Sequence, residues 1–210
     1  MDVSTNIVKS IPKEAWGQLA RTACTTFEKL IYPLTATTEG IGRLIELRFL
    51  KLEDEQKIIA AKCLEEVYKK IQELPVGPGP DVIVKPSVVY EALENTDNQT
   101  DITIRGLWAN LLANEFLDGG VHPEIAKLLS RLTSRDAVLL LKIAQQDEST
   151  SLTIKVLKAL ASRTTLGLFN ERKTFNHIHL VKLGLVTELD RVWILTTTGR
   201  ELMRVVSDPA

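Results

Sequence analysis

Apolar residues recur along most of this chain at intervals of three and four, the period of α-helices with one buried face. The clearest run lies between Thr100 and Thr133. There Ile104, Leu107, Trp108, Leu111, Leu112 and Glu115 keep helical spacing, and five of the six are apolar, which predicts a wide buried face. Gly119-Gly120 breaks the run. A second helix then opens with His122 at the N-cap and Pro123 at the first helical position, where a missing N–H has no cost. Upstream, Trp16, Leu19, Ala20, Ala23, Phe27, Leu30, Ile31 and Leu34 predict a helix over Lys13–Leu34, ended or kinked by Pro33 near Tyr32. Thr37 and Thr38 offer an N-cap for the next stripe, which continues to Leu74 as one helix or as two broken near Glu53–Asp54. Gly40 and Gly42 in its first turn suit close helix–helix approach.

Pro75, Pro78, Pro80, Gly77 and Gly79 cannot continue a helix and mark a linker. After a short extended piece, Asp81–Lys85, Pro86 opens a helix carrying Val88, Val89, Ala92 and Leu93. Asn95–Gln99 reads as a polar loop. Ser134 caps a helix from Asp136 to Gln145, and the polar run Gln145–Thr150 marks a boundary. Beyond it the rhythm changes. Leu152–Ala161 reads as helix and Leu166–Phe169 as extended. Thr174 caps a helix that turns Phe175, Ile178 and Val181 inward and stops at Gly184. Strands at Leu185–Glu188 and Val192–Leu195 follow, and Thr198 and Glu201 form a capping box for a last helix to about Val206.

Helix, helix, hairpin, helix is the order of a winged-helix unit. Leu183–Val186 and Leu195–Arg200 are similar to the wing region of many bacterial winged-helix modules. The expected fold is mainly α: a multi-helix N-terminal and central region, then a C-terminal winged-helix-like unit with one β-hairpin. Its segments are a flexible leader (1–12), long amphipathic helices (13–74), a Pro/Gly linker (75–85), a central helical domain (86–146) and the winged-helix-like domain (151–206).

Composition narrows the function classes. Across 210 residues, 44% apolar and 25% charged is an ordinary globular mixture. A net charge of -1 provides no global attraction to nucleic acid or to an anionic membrane. No apolar run exceeds Ala137–Leu141, so no membrane span is expected, and Asp2 and Asn6 interrupt any leader-like core. A cytoplasmic protein follows. Cys24 and Cys63 read as buried free thiols.

Candidate chemistry is sparse. His177 and His179 stand two apart on a helix, on opposite sides, so they cannot share a metal ion. No nucleophile elbow, Walker loop or zinc helix occurs, and the reading is a non-enzyme without cofactors. Glu91, Glu94, Asp97 and Asp101 read as a solvated face. Asn110 and Asn114, one turn apart, read as structural glue to the start of the next helix at Val121-His122-Pro123. Basic charge gathers at the C-terminal end: residues 151–206 hold nine bases against four acids, a net of +5. Arg172, Lys173, His177 and Lys182 are the candidate nucleic-acid contacts if that unit binds DNA. Yet the helix before the hairpin offers only Asn176, His177, His179 and Lys182, and the wing tip, Glu188–Arg191, is acidic for a phosphate-facing loop.

Three runs carry a family resemblance: Leu107-Trp108-Ala109-Asn110-Leu111-Leu112-Ala113, Val121-His122-Pro123-Glu124-Ile125 and Leu132-Thr133-Ser134-Arg135-Asp136-Ala137. With Pro86–Leu93, Gly40–Gly42, Leu183–Val186 and Leu195–Gly199 in matching order, the chain from about residue 35 resembles the Abi-alpha family of bacterial abortive-infection proteins. Trp108 stands where that pattern has a Phe-like aromatic. The resemblance implies an all-α body and a role in phage defence. Trp108, Asn110, His122 and Pro123 are motif positions of a structural kind, and no catalytic residues carry over. The expected function is therefore a non-enzymatic antiviral protein that binds a host, phage or toxin protein. The alternative is a winged-helix DNA-binding regulator. The apolar helices of Lys13–Leu74 could also pair between chains as a homodimer.

Overall fold

The structure, a computed structural model, describes residues 13–35, 40–74, 82–148, 174–189 and 192–209. Among these, nine α-helices and one antiparallel hairpin confirm the mainly α fold: α1 (Lys13–Thr35), α2 (Ile41–Leu50), α3 (Asp54–Gln72), α4 (Pro86–Glu94), α5 (Ile102–Asp118), α6 (Pro123–Ser130), α7 (Ser134–Glu148), α8 (Phe175–Lys182), β1 (Val186–Leu189), β2 (Val192–Leu195) and α9 (Thr197–Val206). No helix of the described residues is long and apolar enough to cross a membrane. The leader, Thr37, Thr38, Pro75–Pro80 and the segments Leu152–Ala161 and Leu166–Phe169 lie outside the described residues. Contacts divide the chain into two compact units, one running to Arg131 and resuming at Val205, the other Leu132–Arg204.

In the first unit α3 lies between α1 and α5 and buries Ile58, Ile59, Leu64, Val67 and Ile71. Phe27 of α1 and Phe49 of α2 stack with ring centroids 3.9 Å apart. The stripe after Gly40 is two helices. They part at Glu53, whose extended backbone starts α3, with its N–H donating to Gln56 Oε1 at 3.1 Å in a capping box. Gly40 enters α2 with φ +88, and a Cβ there would meet nothing. Its requirement is thus the left-handed dihedral and not the close helix approach expected of it. Helix α1 runs to Thr35, past the stop expected near Tyr32. A proline in the last turn withholds a single N–H bond, so the helix closes within a turn after it.

The polar stretch after α4 is a 3-10 turn, Thr96–Thr100, and not a solvated loop. Thr96 and Gln99 are buried, and Gln99 Nε2 donates to the Ala92 carbonyl at 2.5 Å. Asp101 Oδ1 accepts from the N–H groups of Thr103 (2.9 Å) and Ile104 (3.1 Å), so it caps α5 and leaves the expected solvated acidic face. Helix α5 is buried over most of its circumference, with Trp108, Ala109, Leu111, Ala113 and Phe116 fully enclosed.

Glu115, on the same helix, is also fully buried. Its Oε1 accepts from the Lys85 N–H at 2.5 Å and its Oε2 from the Val121 N–H at 3.1 Å. Lys85 Nζ lies 3.7 Å from Oε2 and donates to the Gly119 carbonyl. Burial pushes the carboxyl up from its ordinary value, and the Lys85 and Val121 donors pull it only part of the way back. Gly119 (φ +64) ends α5 where a Cβ would sit 2.8 Å from the Ile83 carbonyl oxygen, so only glycine admits the strand-like segment 82–85 there.

In the second unit α7 packs against α8 and β2. Its cap is Thr133, one residue before the expected Ser134. Thr133 Oγ1 accepts from the Asp136 N–H at 3.3 Å while Asp136 Oδ2 accepts from the Thr133 N–H at 3.0 Å. Helix α7 continues to Glu148, through the polar stretch read as a boundary. Helix α8 ends in a Schellman motif at Gly184 (φ +70), with Leu185 N–H bonded to the Leu180 carbonyl and Gly184 N–H to that of Val181. Strand pairing runs Val186↔Leu195 to Leu189↔Val192. Thr196, not Thr198, caps α9, its Oγ1 accepting from the Gly199 N–H at 3.0 Å. The expected partner Glu201 instead pairs with Arg204 at 2.8 Å.

Glu115→Gln leaves one of the two backbone donors facing an amide NH2, and is expected to lower stability by about 1–3 kcal/mol. Urea unfolding of parent and variant checks this; an unchanged midpoint would remove Glu115 from its central place.

Candidate interaction surface

Helix α8 stands where a winged-helix unit presents its recognition helix, and its orientation differs from the sequence expectation. The inward residues are His177 and Leu180, 3% and 0% exposed. Phe175, Ile178 and Val181, expected inside, are 76%, 40% and 43% exposed. The segment carries apolar residues on two faces, and periodicity favours the one with the bulkier side chains. Capping decides otherwise. His177 Nδ1 lies 3.3 Å from the Thr174 N–H and 2.8 Å from its hydroxyl, in a capping box that draws the imidazole under the first turn. There it packs on Trp193 of β2, ring centroids 4.6 Å apart.

The side chains at positions 176 and 179 are tied to one carboxylate. Asp136, 1% exposed on α7, accepts from Asn176 Nδ2 at 2.7 Å through Oδ1. Through Oδ2 it accepts from His179 Nδ1 at 2.9 Å and from the Thr133 hydroxyl at 2.7 Å. Burial acts to raise this carboxyl, but the bonds from Thr133, Asn176 and His179 outweigh it and hold the group below its ordinary value. Phe175 lies over the His179 ring at 6.2 Å. Nothing in the sequence singles out Asp136 as a hub, because two of its donors, Asn176 and His179, lie some forty residues away. What α8 leaves on its outer side is a stripe of Phe175, Ile178 and Val181 beside the exposed Lys182. At the end of the hairpin Leu189 and Val192, paired across the strands, are 58% and 36% exposed.

The sequence-derived candidates separate on the structure. Of the proposed nucleic-acid contacts, Lys182 is exposed, His177 is buried and so unable to touch a phosphate, and Arg172 and Lys173 lie outside the described residues. Trp108 is in the core. His122 caps α6, its Nδ1 accepting from the Glu124 N–H at 3.2 Å, and Pro123 occupies the first helical position. Asn110 and Asn114 do not bond to the start of α6, where Glu115 holds the Val121 N–H. They bond instead to the end of α9: Asn110 Nδ2 to the Val206 carbonyl at 2.7 Å, Asn114 Nδ2 to those of Val205 (3.0 Å) and Ser207 (3.2 Å). No three metal-ligating side chains gather among the described residues. The cavity lined by Cys63, Leu64, Val89, Gln99 and Leu112 has a volume of about 10 Å³, the size of one water. Burial pushes the Cys63 thiol far up, which makes it a packing residue.

Compared with known proteins, residues 50–204 match the family model described as Abortive infection alpha. The match begins ten residues after Gly40, so α1 and most of α2 precede it. No curated protein and no solved structure matches the chain.

Asp136 stabilises the fold above the ordinary carboxylate pKa of about 3.9, and this share is lost as the pH falls through its lowered native value. Asp136→Asn is expected to cost about 2 kcal/mol at pH 7 and less at pH 3. Thermal unfolding at both pH values checks it; an equal cost at both would mean that the charge of Asp136 contributes nothing.

Proposed function

Since the chain belongs to the Abortive infection alpha family, we propose that it is a non-enzymatic antiviral protein of the abortive-infection kind. It binds a host, phage or toxin protein and drives the infected cell towards arrest or death. The observation that carries the binding mode is the outer face of α8. A helix that reads DNA brings polar and basic side chains to base edges and phosphates. This one brings Phe175, Ile178 and Val181, the aromatic and aliphatic side chains that form the core of protein interfaces. The apolar pair Leu189 and Val192 at the hairpin end supports the same reading.

The DNA-binding alternative draws on the net charge of +5 in residues 151–206, and on Lys182 and Arg200, both exposed. Lys182→Glu and Arg200→Glu test it through the salt dependence of duplex binding.

The deciding experiment is a phage challenge of cells carrying the parent or Phe175→Ser/Ile178→Ser/Val181→Ser, at low and high phage-to-cell ratio. The parent is expected to protect at low ratio and to bring about culture collapse at high ratio. The variant, its fold verified by circular dichroism, is expected to lose both effects. If the variant protects fully while the charge reversals abolish protection and DNA binding together, the alternative replaces the proposal.

A further inference from the structure

We propose that Asn110, Asn114 and Lys70 form a latch on the C-terminal tail, Val205–Asp208, that opens without unfolding the helices carrying it. The last carbonyls of any helix lack intrahelical partners. Helices α5 and α8 meet this need locally, each with a left-handed glycine, Gly119 and Gly184. Helix α9 is followed by Ser207-Asp208-Pro209, with no glycine to turn its own backbone onto those carbonyls. Its donors come from α5 instead. Asn110 and Asn114, one turn apart and so on one face, direct their Nδ2 groups at the carbonyls of Val206, Val205 and Ser207. Beyond them Lys70 of α3 bonds Asp208 at 2.6 Å, with the carboxylate 80% exposed.

Two features make this attachment releasable. Its outer bond is an ion pair open to solvent, the kind that holds weakly. Its inner bonds leave Asn110 Oδ1 buried without a hydrogen-bond partner, an unfavourable state that water relieves once the tail leaves. Val205 and Val206, buried at the end of α9, are the tail's apolar side chains that opening uncovers. The core of α3 and α5, from Leu64 to Phe116, keeps its own contacts, so release is a local event with its own equilibrium. The division of the chain into two units falls inside α9, after Arg204. The latch and the tail that it holds both belong to the first unit.

Hydrogen exchange followed by mass spectrometry on the full chain provides the test, comparing the end of α9 (Met203–Asp208) with α3 (Ile58–Ile71). Asn110→Ala/Asn114→Ala is expected to speed exchange at the end of α9 at least tenfold and to leave α3 unchanged. Lys70→Glu, at a partly exposed side chain, is expected to speed the same amides two- to fivefold. Lys70→Glu/Asp208→Lys is expected to restore the parent rate. Equal acceleration in α3, or no response of the tail to Lys70→Glu, would overturn the latch.

Discussion

A carboxylate buried inside the most enclosed helix fixes the geometry of the first unit. Glu115 sits on the apolar side of α5, where an unpartnered charge would be prohibitive, and accepts from the N–H groups of Lys85 and Val121 with the Lys85 ammonium close by. Those residues precede Pro86 and Pro123, the first residues of α4 and α6. One side chain thereby sets where two helices begin and how their entry segments lie on α5. Gly119 completes the arrangement, since only a residue without Cβ lets the Ile83 carbonyl come so near.

The same logic recurs at several helix ends among the described residues. Helix ends leave main-chain donors and acceptors without partners, and short polar side chains supply them. Gln99 reaches the end of α4, Asp101 caps α5, His122 caps α6, Thr133 with Asp136 caps α7, and Thr174 with His177 caps α8. Polar residues whose side chains could serve chemistry are engaged here in closing helices. Asp136 goes furthest, since a single carboxylate both starts α7 and fixes the side chains at positions 176 and 179 of α8.

That fixation decides which face of α8 turns outward. With His177 drawn inward and Asn176 and His179 tied down, the exterior of α8 is left to Phe175, Ile178 and Val181. A unit with the order of elements of a winged helix thus carries an apolar outer face on its central helix. Fold and face are separable: the order of elements is shared with DNA-binding modules, while the side chains facing outward here are apolar.

Among the described residues the helices and the hairpin, and with them the family, were legible in the sequence, because periodicity, proline and glycine act over a few residues and leave a local record. Strand β2 and the openings of α4 and α6 at Pro86 and Pro123 lie where these signals put them. Which face of a short helix turns inward was not legible. Helix α8 carries apolar residues on two sides, and the choice rests on Thr174 and Asp136, one a cap and the other some forty residues away. Nor could the sequence assign the partners of Asn110 and Asn114, which lie more than ninety residues along the chain at the end of α9. Spacing determines what a side chain can face; only the packed tertiary structure decides which distant backbone group is there to be met.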